Sequence, residues 1–212
     1  MAGVKGVFNY GGLVGNSWIN EVGTNNFTWT EGNAPTDNGT DYVLSGNTFN
    51  KAGQYNSSDD YSSAVTMYLL AKFETVNGGH AITVGGLESG YTYGINIYAS
   101  NTYGDFAIAS NSAEDLLNPA VPANEYHVIA VTAAATDTRL TVYGDGIKQL
   151  HTTPKTRLPR NYNGKVTLYG KLPSSSGSGN MHVKFVAFGN EKHTDEQIIA
   201  NSQFIMRKYN IS

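Results

Sequence analysis

Apolar and polar side chains alternate with a period of two along most of the chain after residue 64, the signature of strands buried on one face. Val65 to Phe73 is long and apolar, which predicts a largely buried strand. His80 to Val84, Tyr93 to Tyr98 and the shorter Asp105 to Ala109 follow as further strands. Tyr126 to Ala133 is β-branched and central in character. Arg139 to Tyr143 then meets Ile147 to Leu150 across Gly144-Asp145-Gly146, where glycine supplies the positive φ that a tight hairpin needs. Lys165 to Tyr169 and His182 to Phe188 complete the set. The first 64 residues are rich in Asn, Gly, Thr and Ser with short apolar pieces between, and read as loops and short strands.

One helix closes the chain. Thr194 can cap it, and Gln197 three residues on suits a capping box. Ile198, Ile199, Phe204 and Ile205 would form the face laid on the strands. Many strands with one short C-terminal helix predict an all-β sandwich of two antiparallel sheets, not an α/β enzyme. No linker divides the chain, and Ser174 to Asn180 reads as a flexible loop, so residues 1–212 are taken as a single domain.

Composition narrows the chemistry. Cysteine is absent, which excludes disulfides and thiolate metal sites. The start, Met1 to Phe8, lacks the apolar run of a signal peptide, and no stretch approaches the roughly 18 apolar residues of a membrane span. Synthesis in a cytoplasm without membrane insertion is the expectation, and Asn38-Gly39-Thr40 reads as a turn rather than a glycosylation site. Net charge is −3, but residues 1–138 carry 3 basic and 13 acidic side chains, against 11 and 4 in residues 139–212. Lys148, Lys155, Arg157, Arg160, Lys165 and Lys171 fall in a stretch without any acidic residue. That asymmetry marks either an assembly surface or a field evened out by folding. No nucleic-acid reader motif accompanies it.

From about Asp59 onward, the order of elements resembles the laminin-G/concanavalin-A-like lectin and glucanase superfamily. The residues carrying the resemblance are Asp59-Asp60-Tyr61 leading through Val65-Thr66-Met67 to Lys72, then His127-Val128-Ile129-Ala130-Val131-Thr132. Leu140-Thr141-Val142-Tyr143-Gly144-Asp145-Gly146 follows at the usual separation. Val183 to Phe188 then runs into His193-Thr194-Asp195-Glu196-Gln197-Ile198. The likeness covers roughly 150 residues and implies a concanavalin-A-like jelly roll, of the kind found in phage tail or head-decoration proteins. It implies a virion component whose partners are other virion proteins or copies of itself. The alternative it carries is a module that binds cell-surface glycan.

Catalytic signals are missing from the sequence. The glycosidases of this superfamily carry acidic residues at i and i+2 on one strand, where both face the same side. No two acidic residues stand at that spacing here, and Asp59-Asp60 reads as a turn before Tyr61. There is no G-x-S-x-G elbow and no H-E-x-x-H helix. The five histidines are scattered, and His127 and His182 read as packed or edge residues. No catalytic residue is therefore assigned, and glycoside hydrolysis is the remote alternative. Calcium is the one cofactor considered, with Asp59, Asp60, Asp105 and Asp145 as rim candidates. Sugar binding needs rings on loops, which points to Trp18, Trp29, Tyr55, Tyr91, Tyr103 and Tyr162.

Overall fold

The structure, a computed structural model, describes residues 3–45, 52–74, 79–84, 87–88, 91–92, 94–100, 104–110, 113–117, 119–149, 165–168 and 180–212. Its N-terminal third forms β1 (Val4–Asn9), β2 (Leu13–Val14), β3 (Ser17–Trp18), β4 (Phe27–Thr28), β5 (Thr36–Asp37), β6 (Tyr42–Leu44) and β7 (Gly53–Tyr55). The middle forms β8 (Ala64–Phe73), β9 (Gly79–Val84), β10 (Leu87–Glu88), β11 (Tyr91–Thr92), β12 (Ile95–Ala99), β13 (Phe106–Ser110) and β14 (Ala113–Leu116). The remainder is β15 (His127–Ala134), β16 (Thr141–Gly144), β17 (Ile147–Lys148), β18 (Val166–Leu168), β19 (Met181–Gly189) and α1 (Asp195–Lys208).

Two antiparallel sheets result. The first runs β17-β16-β15-β8-β19-β6-β5, with β1 also on β19. The second runs β14-β13-β12-β9-β18-β7-β4-β3-β2, and β10-β11 is a separate hairpin. Strand β19 serves two partners on one edge: β6 lies along Met181–Val183 and β1 along Phe185–Gly189. A register shift between Val183 and Phe185 separates the two halves.

The alternation in β8 explains the architecture. Val65, Met67, Leu69, Ala71 and Phe73 point into the core between the sheets. Tyr68 and Leu70 point the other way, into a second cluster with Val128, Ala130, Tyr143, Phe185 and Ala187 that α1 covers through Ile198 and Ile205. Each fully buried side chain of this size contributes roughly 1.5–3 kcal/mol of transfer free energy. Both faces of mid-β8 are thus apolar because both are covered, and the strand is largely buried, as its composition predicted.

The helix cap follows expectation, and its packing face does not. Thr194 Oγ1 accepts from the Gln197 amide, and Gln197 Oε1 accepts from the Thr194 amide. Ile198, Ser202 and Ile205 are the buried helix residues. Ile199 and Phe204, expected on that face, stay exposed at 37% and 53%. At about 100° per residue, positions 198, 202 and 205 make one stripe, and 199 and 204 fall outside it on either side.

The predicted hairpin between β16 and β17 is also present. Asp145 and Gly146 both take positive φ, 52° and 80°, so the left-handed pair is Asp-Gly.

Candidate functional site

The outer face of the first sheet, the side that α1 packs on, changes character at its far end. Register puts Tyr126 beside Lys72, because the next pair along is His127 with Ala71. Lys72 pairs with His182, and His182 pairs with Val43. Four adjacent strands therefore bring one aromatic, one ammonium and one imidazole to a single row. Lys184 and Asp41 stand next to it.

Tyr126 lies across this row. Its hydroxyl donates to Asp41 Oδ2 from β15's approach, two strands beyond β8. The ammonium of Lys72 stands 5.0 Å from its ring centroid and that of Lys184 4.6 Å. His182 bridges two carboxylates, with Nδ1 2.9 Å from Asp41 Oδ1 and Nε2 2.9 Å from Glu74 Oε1. Ionised carboxylates only accept, so the ring donates through a protonated nitrogen to at least one of them. Asn180 Nδ2 donates to Glu74 Oε2 at 2.8 Å.

The protonation balance follows from these contacts. Burial, then the hydrogen bond and charge of Asp41, holds the Tyr126 phenol well above its usual value. Burial acts to raise Asp41, but hydrogen bonds from Tyr126 and His182 outweigh it and keep the carboxyl below the usual range. The hydrogen bond from His182 does the same for Glu74, against slight burial. The cluster thus keeps two carboxylates ionised and a phenol protonated, with hydrogen-bond donors and acceptors interleaved on a half-buried surface. Such a surface can present both donors and acceptors to a polar ligand.

Other residues singled out from the sequence fall differently. Trp18, Trp29 and Tyr55 are buried, at 0%, 5% and 2% exposure, and belong to the inter-sheet core instead of offering faces to sugars. Trp18 Nε1 donates to the Asn9 carbonyl at 2.7 Å. Trp29 packs so closely on Gly53 that a Cβ there would stand 2.3 Å from its ring. Their Asn- and Gly-rich surroundings read as loops because Trp18 and Tyr55 lie on strands of two or three residues and Trp29 directly follows the two-residue β4. Tyr91 begins the short β11, and Tyr103 and Tyr162 lie outside the described residues.

Lys148 is exposed and donates to Asp195 Oδ2 at 2.6 Å, and Lys165 is exposed just before β18. Lys155, Arg157, Arg160 and Lys171 lie outside the described residues. The four calcium candidates do not converge. Asp59 Oδ1 is 3.5 Å from Lys5 Nζ, and Asp60 Oδ1 accepts from the Ser62 amide. Asp105 sits in a bridge with Pro122. Asp145 accepts from the Val128 amide and faces His127 Nδ1 at 2.6 Å, more than its turn alone requires. Among the described residues, no group of three or more His, Asp or Glu is placed to hold a metal ion.

A second polar row crosses the other sheet. Thr28, Gln54, Thr167, Thr83 and Asn96 stand in register on β4, β7, β18, β9 and β12. Thr83, Asn96 and Thr167 are buried, and Thr83 donates to Asn96 at 3.1 Å while Thr167 donates to Gln54 at 3.3 Å. Gln54 Nε2 in this row is buried without a hydrogen-bond partner. The Tyr126 cluster opens to solvent through Glu74 and the half-buried lysines.

No protein-family model matches the chain, and no curated protein matches it in sequence. Solved structures do. Trypanosoma rangeli sialidase superposes with a TM-score of 0.71 at 12% identity, over 98% of this chain and 33% of that one. The ligand binding domain of botulinum neurotoxin serotype D, in complex with N-acetylneuraminic acid, superposes at 0.65 with 10% identity, over 95% and 51%. The receptor binding domain of botulinum neurotoxin D gives 0.67 at 10% identity, over 96% and 53%.

The likeness is one of fold. This chain spans about a third of the sialidase and about half of the toxin domains. It shares their β-sandwich, in keeping with the lectin-like architecture that the order of motifs implied.

Proposed function

We propose that this chain is a non-catalytic carbohydrate-recognition module that takes glycan on the outer face of its first sheet, around Tyr126. The observation that carries the reading is the half-buried Tyr126 ring, fixed at its hydroxyl on Asp41 and flanked by Lys72 and Lys184, with the His182–Glu74–Asn180 chain running on from Asp41. Sugars are held by aromatic surface together with polar groups of both kinds, fixed in advance. The solved structures of like fold support the reading, since one is a ligand binding domain holding N-acetylneuraminic acid. The reading without catalysis rests on the missing i, i+2 acidic pair. A glycan array on the purified chain, run with calcium and again with chelator, tests it. Binding that disappears in Tyr126→Ala, with the fold intact by circular dichroism, is the expected result. Silence of the native chain in both runs would sink the proposal.

A second reading makes the chain a structural attachment module of a virion, contacting neighbouring subunits. What favours it is exposed apolar surface on the β16–β17 hairpin and on α1: Ile147 at 62%, Ile199 at 37% and Phe204 at 53%. Gly146 lies close enough to α1 that a Cβ there would touch the Ile199 backbone, so the hairpin and helix form one surface. Light scattering separates the readings. A stable oligomer dispersed by Ile147→Ser with Phe204→Ser would favour assembly, and a monomer would not.

A further inference from the structure

We infer that the ligand of the Tyr126 site is an anionic sugar, its acidic group taken by Lys72 and Lys184. This rests on the glycan-binding reading above and names the class of glycan. The argument is one of charge left unmatched. Asp41 is committed to Tyr126 and His182, and Glu74 to His182 and Asn180. The two ammonium groups, 5.0 and 4.6 Å from one ring centroid, have no such partner: among the described residues neither forms an ion pair.

Both arrive on the same face from adjacent strands, β8 and β19, and both lie against the same ring. Their mutual repulsion is eased by the ring's π face and by water. A carboxylate or sulfate brought to them forms charge-assisted hydrogen bonds with groups already gathered by the fold, at little cost in ordering. Asp41 and Glu74 are not free charges, because Asp41 accepts from Tyr126 and Asn38 and Glu74 accepts from Asn180. Glu74 remains exposed at 45% and offers acceptors for the sugar's hydroxyls. Lysine is a compact point charge and does not demand the bidentate geometry of arginine, so carboxylate and sulfate are the shared chemistry.

Matched pairs of probes test this on the full chain by calorimetry. Sialyllactose is set against lactose, a hyaluronan oligosaccharide against chitotetraose, and a sulfated galactoside against its parent. At least one acidic member should bind about tenfold or more tighter than its neutral parent, and the preference should shrink as salt rises. Lys72→Gln with Lys184→Gln should abolish the preference, while Lys192→Gln, remote from the site, should leave it. Equal binding of acidic and neutral members would overturn this inference and leave glycan recognition standing. The same holds if the double variant keeps the preference. Binding of no member, with none on the array, would remove the underlying reading.

Discussion

Tyr126 and Asp41, 85 positions apart, are joined by a hydrogen bond that crosses the outer face of the first sheet from β15's start to β6's start. Asp41 is 3% exposed, so its carboxylate depends on that phenol, on His182 and on Asn38 for its ionised state. Tyr126→Phe removes one donor and leaves the carboxylate under-satisfied. A loss of about 1–3 kcal/mol in urea denaturation is expected. A change within ~0.3 kcal/mol would mean that water replaces the phenol without cost.

Acid should undo the same cluster. The folded-state pKa values of Asp41 and Glu74 lie below their ordinary values. The unfolded chain therefore takes up protons first as pH falls. Stability from these groups is fully present above the ordinary carboxylate pKa of about 4, and is lost as pH drops through the lower folded values. Asp137 and Asp195, also lowered, add to the slope. Denaturation at stepped pH should show stability declining below about pH 4, and Asp41→Asn should flatten that limb. An unchanged limb in the variant would assign the acid sensitivity elsewhere.

The two faces of α1 should respond differently. Ile205→Ala opens a cavity against the sheet and should cost about 2–5 kcal/mol. Phe204→Ala, on the exposed side, should stay within about 0.5 kcal/mol. Thr194→Ala, which removes the cap acceptor, should fall between them at about 1 kcal/mol. Thermal denaturation of the three variants gives the order directly.

Gly189 sits where β19 meets β1, and a Cβ there would stand 2.3 Å from the Gly3 carbonyl oxygen. Backbone cannot yield as a flexible side chain does. Gly189→Ala should cost about 1–3 kcal/mol or more and expose the amides of β1 to hydrogen exchange. Native exchange rates in β1 would show that the strand tolerates displacement.

The elements with local signals were legible in the sequence. The Val65–Phe73 strand, the Asp145-Gly146 hairpin and the Thr194 cap with Gln197 each depend on residues within a few positions of one another. The N-terminal strands were not, because pieces of two residues such as Ser17–Trp18 are too short to show a period. That is why Trp18, Trp29 and Tyr55 read as loop aromatics instead of core. The candidate site was hidden for another reason. His182 and Lys184 do alternate with Met181 and Val183, a hint of a polar face. Their meeting with Lys72, Tyr126 and Asp41 depends on cross-strand register among four strands, which no local pattern encodes.

The double use of β19's edge has a consequence for how the chain reaches this state. Among the described residues, β1 pairs with β19 alone, at Phe185 to Gly189, and Lys208 on α1 donates to Asn9 across 199 positions. Until β19 and α1 have been synthesised, β1 lacks its partner strand and the outer face of β8 has no helix over it. Closing loops of that length is entropically costly and slow, so the nascent chain waits with open edges and uncovered apolar surface. Docking of β19 and then α1 is thus the step that closes these edges and covers this surface.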